Sequence, residues 1–192
     1  MEVLPVTLTG SKVELRPMEK GHAEGLYEAG CYPGVWELTQ GQIVSQEDAR
    51  EYVRKALESE RALPFVIIER ESGKIVGSTR FFDISVPNRS LEIGSTWLTP
   101  SKWRTPLNTE CKYLLLKHCF ETLQTIRVQL KTDSRNVRSQ KAIERLGAKQ
   151  EGILRNHMIL PSGYIRDSVY YSILDREWPH VKTRLEGFLA QV

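Results

Sequence analysis

The residues best suited to chemistry lie in two stretches, each of which opens what reads as a helix. In the first, Trp97-Leu98-Thr99-Pro100-Ser101-Lys102-Trp103-Arg104-Thr105-Pro106-Leu107-Asn108-Thr109-Glu110, a strand gives way to a polar loop and then an amphipathic helix. Thr105 followed by Pro106 suits an N-cap and a first helical position, because proline has no N–H to leave unpaired there. A helix that starts just past a strand end offers unpaired N–H groups and partial positive charge, to which Lys102 and Arg104 add formal charge. A pyrophosphate would fit such a place; on spacing alone, a well-capped helix in a loop fits equally. In the second stretch, Asn136 is a sound N-cap and Gly147 is placed for a left-handed helix end. Asn136 and Ser139 stand three residues apart and share a face, where both could meet a ligand lying across the helix start.

The elements that must position these residues follow from periodicity. Val13 to Arg16 alternates before Pro17 and predicts a short half-buried strand. Ser45-x-x-Asp48 resembles a capping box, and Ala49, Tyr52, Val53, Ala56 and Leu57 continue it at helical spacing. Phe65 to Ile68 and Ile75 to Phe82 flank a Gly73 turn, and Leu91 to Leu98 follows Pro87-Asn88, so the sheet grows by antiparallel neighbours. A helix from about Pro106 to Leu123 comes next, then a strand Arg127 to Thr132, a helix Asn136 to Leu146 and two strands around Pro161-Ser162-Gly163. This order predicts an α+β fold, a mixed and mostly antiparallel twisted sheet with helices on both faces. One domain over residues 1–192 is expected, with a core at about 13–175. Trp178, Val181, Leu185, Phe188 and Leu189 lie at helical spacing in a C-terminal helix at about 176–190.

Composition narrows the function. A formal charge of +3 on 192 residues, evenly spread, argues against a nucleic-acid partner. No apolar run approaches a bilayer span, and the opening MEVLPVTLTG lacks a signal-peptide core, so no membrane and a cytoplasmic location are expected. Three cysteines without a CxxC pair read as free buried thiols. The four histidines show no metal-ligand spacing, so metal-free chemistry is expected.

Asn136-x-x-Ser139 with Ala142-Ile143-Glu144-Arg145-Leu146-Gly147-Ala148, preceded by Leu91-Glu92-Ile93-Gly94 and by Trp103 with Asn108-Thr109-Glu110, resembles the GNAT superfamily of N-acetyltransferases. Within it, the likeness is to the branch that includes the ribosomal-protein N-terminal acetyltransferases, and it runs from about Val13 through Asp175. The resemblance implies acetyl-CoA as cosubstrate and a primary amine as acceptor, either a protein N-terminus or a small molecule, and it makes a homodimer plausible by analogy. It also implies a cofactor-binding set of Trp97, Leu98, Thr99, Lys102, Trp103, Arg104, Thr105, Asn108, Thr109, Asn136, Ser139 and Arg145. One departure stands out. The superfamily loop reads [Gln/Arg]-x-x-Gly-x-[Gly/Ala], and here both glycine positions are filled, by Arg104 and Pro106. The loop either follows a different path around pyrophosphate or no longer holds it. The rival to an enzyme is therefore an acyl-CoA-binding module without turnover.

Attack of an amine on a thioester needs a neutral amine, a stabilised oxyanion and a proton for the departing thiolate. The resemblance implies that backbone N–H groups between Ser95 and Thr99 hold the carbonyl oxygen. Glu92 is the candidate base: alternation places it on one face with Gly94 and Thr96, and it fills the Glu-Ile-Gly position of related enzymes. His157 is held in reserve. Ser139 is the candidate acid, because its position in this branch faces the CoA sulfur. Of Tyr170 and Tyr171, alternation lets at most one enter the cleft. Acceptor contacts are expected from the region of residues 21–46 and from the Pro161–Gly163 hairpin.

Overall fold

A computed structural model describes residues 1–39 and 41–191. Gln40, inside the expected acceptor region, and Val192 lie outside the described residues. Eight strands form one sheet: β1 (Leu8–Thr9), β2 (Val13–Pro17), β3 (Leu63–Glu69), β4 (Ile75–Ser85), β5 (Ser90–Leu98), β6 (Arg127–Asp133), β7 (Lys149–Ile159) and β8 (Ile165–Leu174). Their spatial order is β1-β2-β3-β4-β5-β6-β8-β7, and every pair is antiparallel except β5 with β6. The helices are α1 (Ala23–Gly30), α2 (Gln46–Leu57), α3 (Leu107–Lys117), α4 (Val137–Leu146) and α5 (Trp178–Ala190).

Local chemistry explains most of these boundaries. Ser45 and Asp48 form the reciprocal cap of α2, with Ser45 Oγ accepting from the Asp48 amide at 3.1 Å. Asn136 Oδ1 accepts from the Ser139 amide at 3.0 Å to start α4, and Gly147 ends it at φ +104. At the end of α3 the chain relaxes into a π turn over His118–Thr122, closed by the Leu123 amide on the His118 carbonyl.

The sheet separates two apolar layers. Leu15, Phe65, Phe81, Leu91, Ile93, Leu130, Tyr171 and Ile173 face α3, α4 and α5 through Leu115, Leu116, Ile143, Trp178 and Leu185. On the other face Val66, Ile68 and Trp97 pack against α1 and α2 with Leu26, Ala49, Val53, Trp36 and Ile43. The α5 residues Trp178, Val181 and Leu185 bury themselves on the chain's own core. Among the described residues, no helix is long and apolar enough to cross a membrane.

The register of the one parallel pair makes the cleft. β5 and β6 are joined through Ser90↔Arg127, Leu91↔Val128 and Glu92↔Gln129, and no farther. Beyond Glu92, β5 continues beside β4 to the Gly77↔Leu98 rung, while β6 continues beside β8 to Asp133↔Ser168. Parallel strands followed by helices bring both helix N-termini to the same end of the sheet. The starts of α3 and α4 therefore stand at the mouth of the opening, with Glu92 at its base.

Candidate active site

β5 carries an irregularity where the gap opens. Ser78 pairs with Trp97 and Arg80 with Gly94, so two residues of β5, Ser95 and Thr96, oppose the single residue Thr79. This is a β-bulge, and Ser95 takes φ +47 within it. The extra residue reverses the alternation that the sequence predicts: Glu92, Gly94 and Trp97 share the α2 face, and Thr96 points to the α3 side. The placing of Thr96 beside Glu92 is thereby corrected. Thr96 Oγ1 instead contacts Thr79 Oγ1 at 2.8 Å and accepts from Lys112 Nζ of α3 at 2.5 Å.

Glu92 is 2% exposed. Its Oε2 accepts from Gln129 Nε2 at 2.8 Å and pairs with Lys131 Nζ at 3.0 Å. Oε1 takes no hydrogen bond from the described residues. A Cβ at Gly94 would come within 2.9 Å of it, so glycine leaves that oxygen its space. The arrangement gives one anchored carboxylate oxygen and one available to a proton.

A relay lies beside it. Arg166 Nε donates to Ser168 Oγ at 2.9 Å, Ser168 Oγ lies 2.9 Å from His157 Nδ1, and His157 Nε2 lies 3.1 Å from the Tyr170 hydroxyl. Arginine only donates, which leaves the Ser168 hydrogen for Nδ1; the imidazole then carries its own on Nε2 and gives it to Tyr170. On that assignment the Tyr170 hydrogen is free for another acceptor. Burial, then Lys131 and Arg166, hold the His157 imidazole below its ordinary value, and burial raises the Tyr170 phenol. Tyr171 faces the core, donating to Glu144 Oε1 at 3.1 Å.

At the mouth of the opening the expected residues divide by what they already hold. Arg104 adopts φ +60, the left-handed backbone that glycine takes without strain, so the chain keeps a glycine-like turn with an arginine in it. Arg104→Gly should be more stable than Arg104→Ala by about 1 kcal/mol in urea denaturation, the reverse of the order in ordinary backbone. Pro106 rather than Thr105 occupies the N-cap position, with helical φ −66. Thr105 Oγ1 donates to the Lys102 carbonyl at 2.8 Å and only weakly meets the Leu107 amide at 3.4 Å. Lys102 is tied to Glu69 at 2.6 Å, which holds the Glu69 carboxyl below its usual range. Its charge is therefore already paired. Thr109 Oγ1 accepts from Arg145 Nη1 at 2.9 Å, linking the two helices. Trp103 donates to the Leu98 carbonyl at 2.8 Å and carries the Arg138 guanidinium 4.2 Å over its ring. Asn108 and Ser139 are half-buried.

Other expected residues point elsewhere. The Trp97 ring packs tilted, 5.0 Å from Trp36, and donates to the Tyr52 hydroxyl at 3.0 Å, so its side chain belongs to the α2-side core. The Leu98 side chain lies in the α3-side core, and the Thr99 amide is spent on the Val76 carbonyl at 2.8 Å. Thr99 is thus withdrawn from the expected carbonyl-holding amides. The depression beside the start of α3 has a volume of about 530 Å³ and is lined in part by Ser11, Lys12, Arg70 and Pro106; Lys12 and Arg70 are cations that no sequence spacing marks.

Two buried cations were also hidden from sequence. Lys112 is 6% exposed, and burial draws its pKa from 10.5 to about 8. Between those values the folded chain binds fewer protons there than the unfolded chain, so stability rises with pH through that window. Urea denaturation of the protein and of Lys112→Met at pH 7.5 and 9.5 should show the difference shifting in favour of lysine at the higher pH. The second is Arg80, 9% exposed, with its guanidinium 4.5 Å over the Tyr52 ring and 5.8 Å from that of Phe82. Its Nε is buried without a partner, and among the described residues no carboxylate pairs with it. A cation–π contact contributes about 0.5–2 kcal/mol, less than the several kcal/mol of desolvation that a buried ion incurs.

The family profile for the acetyltransferase (GNAT) domain matches residues 12–149. An uncharacterized N-acetyltransferase of Bacillus licheniformis, p20, is 28% identical over 176 residues, 90% of this chain and 98% of that protein. YdaF of Bacillus subtilis strain 168, whose name proposes a ribosomal N-acetyltransferase, is 31% identical over 106 residues, 55% of this chain and 57% of that one. The crystal structure of a GCN5-related N-acetyltransferase from Brucella melitensis superposes with a TM-score of 0.92 at 29% identity, covering 97% of this chain and 86% of that one. The likeness seen in the sequence therefore holds, in fold and in kind of enzyme, and the chain belongs to the GNAT family of acetyltransferases.

Proposed function

We propose that this acetyltransferase moves an acetyl group from acetyl-CoA to a primary amine by direct attack on the thioester, with residues 1–192 acting as one catalytic domain. The observation that carries this reading is the position of Glu92, a buried carboxylate with one oxygen unengaged, at the base of a gap between two strands whose following helices both start at its mouth. The first turns of α3 and α4 offer unpaired N–H groups to anionic or amide oxygens of the cosubstrate. The left-handed turn at Arg104 keeps backbone close to that position, and Asn108, Asn136 and Ser139 supply polar side chains. The residues present fit the cosubstrate.

We assign the thioester oxygen to β5 backbone N–H groups at the bulge of Ser95 and Thr96. Such a donor contributes roughly 3–4 kcal/mol in the transition state. Glu92 Oε1 takes a proton from the ammonium form of the acceptor, directly or through water. As nitrogen bonds to the acyl carbon and the carbon–sulfur bond breaks, the sulfur gains a proton from Ser139 or Tyr170, the second proton that nitrogen sheds on becoming an amide restores that hydroxyl through water, and the proton on Glu92 leaves to solvent. Tyr170 enters this reading because of its relay; sequence alternation alone left it level with Tyr171.

Calorimetric titration with acetyl-CoA and with CoA at two salt concentrations, followed by thiol release with a pool of amines and peptides, tests the reading. Salt-sensitive micromolar binding and acceptor-dependent thiol release are expected. Binding without acceptor-dependent release would reject the catalytic roles, and absence of binding would reject the cosubstrate site.

A further inference from the structure

We propose that the acceptor is a small amine carrying its own carboxylate, and that Arg80 binds that carboxylate between the Tyr52 and Phe82 rings. The inference rests on the acetyl-transfer reading and names the acceptor class. Among the described residues Arg80 is a buried cation on the acceptor face with no ion-pair partner and no hydrogen-bond partner for its Nε. Lys131, on the same face, already pairs with Glu92, and Arg166 donates to Ser168 beside Asp133. The surroundings of Arg80 are Tyr52 from α2, Phe82 from its own strand, Gly94 across on β5 and Ser78 below. None of these supplies a negative charge; the carboxylate nearby on that face, Glu92, reaches toward Gly94 with Oε1 but is anchored through Oε2 on Gln129 and Lys131, and it forms no ion pair with Arg80 among the described residues.

The site is also held in shape. The Tyr52 hydroxyl accepts from Trp97 Nε1 at 3.0 Å and lies 3.3 Å from Ser78 Oγ, which fixes the ring under the guanidinium. Stacking engages the planar face of arginine and leaves the N–H edge, whose two parallel donors match the two oxygens of a carboxylate. Partly exposed Tyr52, Phe82 and Gly94 leave a way in from the sheet surface.

Distance limits the ligand. Arg80 pairs across to Gly94, and Glu92 lies two residues farther along the same strand and face, a step of about 7 Å. An amine presented to Glu92 and a carboxylate presented to Arg80 therefore belong to one small molecule, a few bonds apart. A peptide N-terminus has its carboxylate too far away to serve.

The test is the acetylation rate, as kcat/KM, for a panel of amino acids, their amides, their decarboxylated amines and the corresponding dipeptides. The free acids should be preferred by roughly 30-fold or more, the scale set by a buried charge pair. Arg80→Gln should collapse that ratio toward one, and Arg80→Lys should restore part of it, with acetyl-CoA affinity serving as the control for folding. Equal rates for acids, amides and dipeptides would overturn the proposal while leaving acetyl transfer standing. Where no panel member is turned over, calorimetry on the CoA-saturated protein decides. Tighter binding of acids than amides, lost in Arg80→Gln, supports the site, and equal or undetectable binding of both rejects it.

Discussion

Glu92→Gln should lower kcat/KM for acetyl transfer by a factor on the order of 10²–10³, the usual share of a positioned general base. Glutamine keeps the size of the side chain and can still accept from Gln129, but it cannot take a proton from the acceptor. Lys131 would lose its counterion, yet its side chain is 21% exposed, so water compensates much of that loss and the fold should survive. Steady-state kinetics should show the fall mainly in kcat, with acetyl-CoA binding little changed. A variant with full turnover and reduced stability would show that Glu92 is only half of a structural ion pair.

The largest loss of stability should come from Glu110→Ala. Glu110 is almost fully buried in the first turn of α3, and its carboxylate gathers the turn before β2. Oε1 accepts from the Ser11 amide and hydroxyl, both at 2.7 Å, and Oε2 from the amides of Lys12 and Val13, both at 2.8 Å. Alanine leaves those donors without an acceptor and opens a hole where the carboxylate stood. A loss of about 3–5 kcal/mol is expected in urea denaturation. A loss below about 1 kcal/mol would mean that water replaces the carboxylate freely.

What the sequence made legible was local. The Ser45–Asp48 cap, the Asn136 cap and the Gly147 terminus each depend on neighbours within four residues, and each is found where spacing puts it. The long helix expected from Pro106 to Leu123 is present as α3 plus its π turn. The insertion of β8 between β6 and β7 was not legible, since strand order is decided by contacts distant in sequence. Nor was the bulge: Ser95 carries no glycine-like mark, and one extra residue was enough to turn Thr96 away from Glu92. Lys102 looked like a ligand donor because Glu69, which engages it, comes from a strand 33 residues away. For the same reason Arg80 and Lys112 passed unnoticed, because their significance is burial and the identity of what surrounds them. The missing loop glycines were misleading in the other direction, as the backbone at Arg104 takes the left-handed turn regardless.

The three-rung seam between β5 and β6 has a mechanical meaning. On one side lies an antiparallel set, β1 to β5, in chain order with α1 and α2 inserted between β2 and β3, and on the other a three-stranded unit that includes the edge strand β7; along the sheet plane they share few ladder bonds. A splayed seam of this kind can change its angle while the pairing within each half stays intact. Across the mouth, α4 meets α3 through Arg145 with Thr109 and meets the loop before α3 through Arg138 over Trp103, while α5 packs against both helices. Glu92 sits on the last rung that the two halves share, so its carboxylate is gripped from both, by its own strand and by Gln129 and Lys131 of β6, at the point where the strands part.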